Sequence, residues 1–81
     1  MKSFDRWIDT FIEEKGIDTE YLLTVEGLLG KNYIPVGCVI EAMKEAPKSE
    51  QQTIKNMIIK IDFVNGDVLH FFNHLAEAIA L

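Results

Sequence analysis

The sequence contains a single cysteine, Cys38, so no internal disulfide framework is available and a reducing compartment is expected. Long apolar runs are also missing. The uninterrupted hydrophobic stretches are a few residues each, far short of a membrane span. The opening Met1-Lys2-Ser3-Phe4-Asp5-Arg6 carries charges where a signal peptide has its apolar run, which points to a cytoplasmic protein. Basic residues are scarce: eight Lys and Arg stand against thirteen Asp and Glu, a formal net charge of −5. Lys2, Arg6, Lys15, Lys31, Lys44, Lys48, Lys55 and Lys60 are spread along the chain. That dispersal disfavours direct binding of nucleic acid and suits a protein partner with a basic surface. No phosphate-cradling loop is present, because Gly27, Gly30 and Gly37 lack the strand-to-helix setting and the lysine-serine ending.

What is present is a chain of 81 residues, 48% hydrophobic and 26% charged, which suits a single packed helical domain over 1–81. A domain this small keeps much of its surface in water. Binding a partner, or a second copy in a homodimer, is a common source of added stability.

Hydrophobic periodicity predicts a mainly α fold, a small bundle of about four helices. Phe4, Trp7, Ile8, Phe11 and Ile12 recur at three- and four-residue spacing behind a Ser3 N-cap, and Gly16 supplies the left-handed stop. Pro35 suits the first turn of a second helix, whose stripe is Val36, Val39, Ile40 and Met43 and which ends before Pro47. Gly37 inside it carries a helix-propensity cost of up to ~1 kcal/mol, which close backbone packing would explain. Ser49 and Gln52 have the spacing of a capping box for a third helix with the stripe Ile54, Met57, Ile58, Ile61 and Val64, ended by Asn65-Gly66. Asp67 then caps a last helix with Val68, Phe71, Phe72, Leu75, Ala76 and Ile79 inward. Residues 17 to 34 are open to two readings. Asp18-Thr19-Glu20 suits a helix cap, but β-branched and aromatic residues around Gly27-Leu28-Leu29-Gly30 favour a short β-hairpin around residues 22–34.

Chemistry-bearing residues are few. His70 and His74 are spaced i,i+4, the spacing at which two imidazoles chelate a metal, with Asp67 and Glu77 a turn to either side. Phe71 stands where a metalloprotease motif has its glutamate, and a two-histidine pair without a fixed third ligand is a weak chelator. The same four residues also lie opposite the apolar stripe, where a solvated face is expected. Cys38 has no basic neighbour in sequence and is expected to be a small buried residue. Glu13 and Glu14 are adjacent and diverge on a helix, so they do not form a catalytic dyad. No nucleophile–base set emerges, so no enzymatic activity and no cofactor is expected.

Interaction features are stronger. Adjacent aromatics on a helix point about 100° apart. One of Phe71 and Phe72 is therefore a candidate for the margin of the core or an interface, against the weightier expectation that a small domain spends every aromatic on its own core. Leu28 and Leu29 in a glycine-flanked turn are poorly explained by a core and are the better contact candidates, beside the acidic residues Asp5, Asp9, Glu13 and Glu14 of the first helix.

The stretches Ile34-Pro35-Val36-Gly37-Cys38-Val39-Ile40-Glu41-Ala42 and Lys60-Ile61-Asp62-Phe63-Val64-Asn65-Gly66-Asp67-Val68 are the most distinctive. Through them most of the chain resembles small proteins carried by bacterial phages and mobile elements. That resemblance implies a class, small acidic inhibitors of host defence of the anti-CRISPR or anti-restriction kind, and carries over no functional residue. Two functions from different classes follow as expectations. One is a non-catalytic binding protein that presents acidic helices to a nucleic-acid-processing partner. The other is a metal-binding module at His70 and His74.

Overall fold

A computed structural model describes residues 3–61 and 67–79. The chain runs α1 (Phe4–Lys15), β1 (Leu22–Gly27), β2 (Gly30–Pro35), α2 (Val36–Lys44), α3 (Lys48–Ile61) and α4 (Asp67–Ile79). The protein is mostly helical, with one two-stranded antiparallel sheet.

Helix α1 starts and stops as its sequence directs. The Ser3 hydroxyl accepts from the Arg6 N–H at 3.3 Å, and Gly16 closes the helix with φ 63°. There the Gly16 N–H donates to Glu13 and the Ile17 N–H donates to Ile12. These two bonds form a Schellman motif, and Ile12 and Ile17 meet the core across it. After this stop, Asp18 settles the ambiguous segment by making a turn instead of a helix cap. Its carboxylate accepts from the Glu20 N–H at 2.9 Å, and its carbonyl accepts from the Tyr21 N–H.

The hairpin then pairs Leu22 with Pro35, Leu23 with Ile34, Thr24 with Tyr33 and Glu26 with Lys31. Leu23 and Val25 are buried and their neighbours exposed, the period-two alternation of a strand with one face on a core. Neither Leu28 nor Leu29 has positive φ; that conformation falls on Gly30, at φ 115°. The hairpin base is clasped to the next helix. The Gly37 N–H donates to the Thr19 carbonyl at 2.8 Å, and the Val36 N–H donates to the Tyr21 carbonyl at 2.9 Å. Backbone carbonyls thus satisfy donors of α2's first turn that a side-chain cap would otherwise serve. Pro35 closes β2 at φ −63° and ψ 145° and stands before the helix, not in its first turn. Gly37 lets the clasp close tightly: a Cβ there would lie 3.3 Å from the Thr19 carbonyl oxygen, which would have to give by a few tenths of an ångström.

The core is one apolar cluster drawn from every element described except β2, whose Ile34 packs against it from the side. Helix α4 packs on β1, α2 and α3, while α1 packs on α2 and α3. This placement commits both paired aromatics to the core, as the inward stripe requires, and leaves neither at the margin: Phe71 is 8% and Phe72 0% exposed. Helix α4 has β1 on one side and helices on another, so the two rings, 100° apart, both find cover. At the end of that helix Ile79 is exposed, not inward.

Helix α3 differs from expectation at both its start and its stripe. It begins at Lys48 because the Pro47 carbonyl accepts from the Glu50 and Gln51 N–H groups, so Ser49 lies inside the first turn and the capping box does not form. The Gln52 amide donates instead to Asn56. Gln51 closes the α2–α3 corner by donating to the carbonyls of Lys44 and Ala46. Of the expected stripe, Ile58 is buried, Ile54 and Ile61 pack at the margin, and Met57 is exposed. Val64 and Asn65-Gly66 lie outside the described residues, as does the side chain of Asp67 at the first position of α4.

Candidate functional site

The acidic residues of α1 are all exposed, but they do not form one free surface. Asp9 is engaged within the fold: the Lys44 ammonium of α2 donates to it at 2.8 Å and lies 3.5 Å from Glu41. That hydrogen bond, aided by the charges of Asp9 and Glu41 against the cost of partial burial, holds the Lys44 ammonium above its ordinary pKa of 10.5. Asp5 and Glu13 continue the same side of the helix at i,i±4, while Glu14 projects elsewhere.

The opposite behaviour is seen for basic residues dispersed in sequence. Lys44, Lys48 and Lys55 meet along a groove of about 540 Å³ shared with Ser3, Phe4, Asp5, Gln51 and Gln52. Trp7 holds this side of the molecule together: it stacks on Phe11 at 5.5 Å, tilts against Phe4 at 6.1 Å, and has the Lys55 ammonium 5.3 Å above its ring.

Leu28 and Leu29 stand fully in solvent at the hairpin tip, each at 103% relative exposure. The register adds residues that the sequence reading missed. Leu22 and Tyr33 lie on the outward face of the strands, at 54% and 61% exposure, and Tyr21 is exposed at the base. The signal was the alternation itself. Once Leu23 and Val25 face the core, Leu22 must face away, and the Thr24–Tyr33 pair carries Tyr33 with it. The acidic helix and the apolar hairpin share α2 as a neighbour, but the helix also packs on α3 and the hairpin on α4.

Cys38 is exposed, contrary to the expectation of burial. The stripe Val36, Val39, Ile40 and Met43 turns inward, and the helical period places residue 38 on the other side. Its thiol lines a cleft of about 680 Å³ with Asp9, Thr19, Glu41 and Glu45. This lining is acidic, the reverse of the electropositive setting that activates a thiol.

His70 and His74 are exposed on α4, with their Nε2 atoms 2.9 Å apart and their rings T-shaped at 85°. The other ring nitrogen of His74, Nδ1, lies 4.0 Å from a Glu77 carboxylate oxygen. No group of three or more His, Cys, Asp or Glu side chains among the described residues is placed to hold a metal ion.

These features define a mostly helical protein with an exposed apolar hairpin and a histidine pair on its last helix. No described helix is long and apolar enough to cross a membrane. Comparison with protein-family models, with curated proteins and with solved structures gives no match.

Proposed function

We propose that the chain is a non-catalytic protein-interaction module whose primary contact is the β-hairpin. The observation that carries this reading is the exposure of Leu28, Leu29 and Tyr33 on an element whose other face is committed to the core. Large apolar side chains held in solvent on a small protein mark contact sites, and presentation on a paired strand element lowers the entropy lost on binding. The negative charge of the chain, with Asp5, Glu13 and Glu14 in solvent, adds attraction for a basic partner and sets the on-rate more than the affinity. A cytoplasmic nucleic-acid-processing complex presents such a surface. The resemblance to phage and mobile-element proteins makes inhibition of a host defence complex the specific form of this proposal.

The test compares tagged wild-type chain with a Leu28→Ser/Leu29→Ser variant in affinity capture from nuclease-treated bacterial lysate. The expected result is one nucleic-acid-processing complex held by the wild type, weakened by rising salt and lost with the variant. Equal capture by both chains, or capture of no such complex, overturns the reading.

A further inference from the structure

We propose that His70 and His74 form an open two-histidine site for a late divalent transition metal such as Cu²⁺ or Ni²⁺, with Glu77 orienting one ligand. The proposal is independent of the hairpin and rests on two separate features of α4.

The first is convergence. The i,i+4 spacing stacks the two imidazoles on one helical face, and their Nε2 atoms approach to 2.9 Å. Without a metal, one nitrogen donates its proton to the other. Two imidazole nitrogens bound about 2.05 Å from one ion are about 2.9 Å apart at a right-angle bite and about 3.3 Å apart at a tetrahedral one. The 2.9 Å separation is the length of the hydrogen bond between the rings and is close to both bites, so it fixes no preference between them. The general affinity order of nitrogen sites places Cu²⁺ above Ni²⁺ and Zn²⁺.

The second is the carboxylate behind His74. Glu77 lies one turn further on, with Oε2 4.0 Å from His74 Nδ1. At this distance the carboxylate makes no hydrogen bond, but its negative charge favours the tautomer with the ring proton on Nδ1, which leaves the Nε2 lone pair for the metal. His74 Nε2 is then the acceptor of the pair and His70 Nε2–H the donor. Metal binding moves the His70 proton from Nε2 to its own Nδ1, so both Nε2 lone pairs face the ion. This assigns Glu77 an orienting role in place of the third-ligand role that its sequence position suggests. With two ligands from the described residues, water fills the remaining positions.

The experiment is calorimetric titration of Ni²⁺, repeated with Cu²⁺, into the full chain without a polyhistidine tag. Wild type is compared with His70→Gln, His74→Gln, Glu77→Gln and Cys38→Ser, each checked for an unchanged circular dichroism spectrum. Binding of one ion per chain is expected, lost in either histidine variant and retained in Cys38→Ser. Affinity is expected to fall about tenfold in Glu77→Gln. Heat no greater than dilution, or binding that survives either histidine substitution, overturns the site. Unchanged affinity in Glu77→Gln overturns the orienting role.

Discussion

At the residue scale, one ion pair ties α1 to α2 across the edge of their apolar contact. Lys44 and Asp9 are separated by 35 positions in sequence and meet at 2.8 Å. The Lys44 side chain is largely covered, whereas Asp9 stands in solvent, so screening limits what the pair contributes. A double-mutant cycle of Asp9→Asn and Lys44→Met, read by urea unfolding at neutral pH, is expected to give a coupling of about 0.5–1 kcal/mol. The pH dependence follows from the raised pKa of Lys44. Its stabilisation is fully present below the ordinary value of 10.5 and is lost as pH rises through the higher folded-state value. The same cycle repeated well above 10.5 should therefore give a coupling near zero. A coupling that persists there would mean that packing, not charge, joins the two residues.

At the scale of elements, the clasp between the 19–21 turn and α2 makes a sharper demand. Replacing Gly37 with valine puts branched carbon atoms against the Thr19 carbonyl and strains the 2.8 Å hydrogen bond beside it. A loss of about 1–3 kcal/mol is expected, seen as a lowered thermal midpoint. A midpoint equal to the wild type would show that the turn can move aside.

Much of this scale was legible in the sequence. The α1 stripe, the Ser3 cap and the Gly16 stop depend on local geometry, and the Gly27–Gly30 frame located the hairpin tip. The start of α3 turns on a competition between Pro47 and Ser49, which local spacing does not rank. Choosing burial of both Phe71 and Phe72 over a marginal place for one depends on how α4 is covered by β1, α2 and α3. For Cys38 the apolar stripe beside it suggests burial, but the helical period of that same stripe places residue 38 outward. Of the candidate contacts, Leu28 and Leu29 were readable from their glycine flanks. The convergence of the His70 and His74 nitrogens needs rotamers that spacing alone does not supply.

At the scale of the whole molecule, a single apolar cluster carries the fold, and Phe72 is its largest fully buried side chain. Truncating it to alanine is expected to cost about 3–5 kcal/mol. Domains as a class have only about 5–15 kcal/mol in total, and small ones lie at the low end. Phe72→Ala should therefore abolish or sharply lower the cooperative thermal transition. A transition within a few degrees of the wild type would mean that the core refills the space.

The clasp at the hairpin base also has a topological consequence. Residues 21 to 36 leave and rejoin the body of the molecule at nearly one point, because Thr19 and Tyr21 bond directly to Gly37 and Val36. The tip beyond Gly27 and Gly30 is therefore an excursion whose length is uncoupled from the path of the remaining chain. Extending it costs only closure entropy, about 0.6 kcal/mol for each doubling of the loop. The most exposed point among the described residues is thus also one where inserted or exchanged residues disturb the core little, so contact chemistry can diversify there while the scaffold stays fixed.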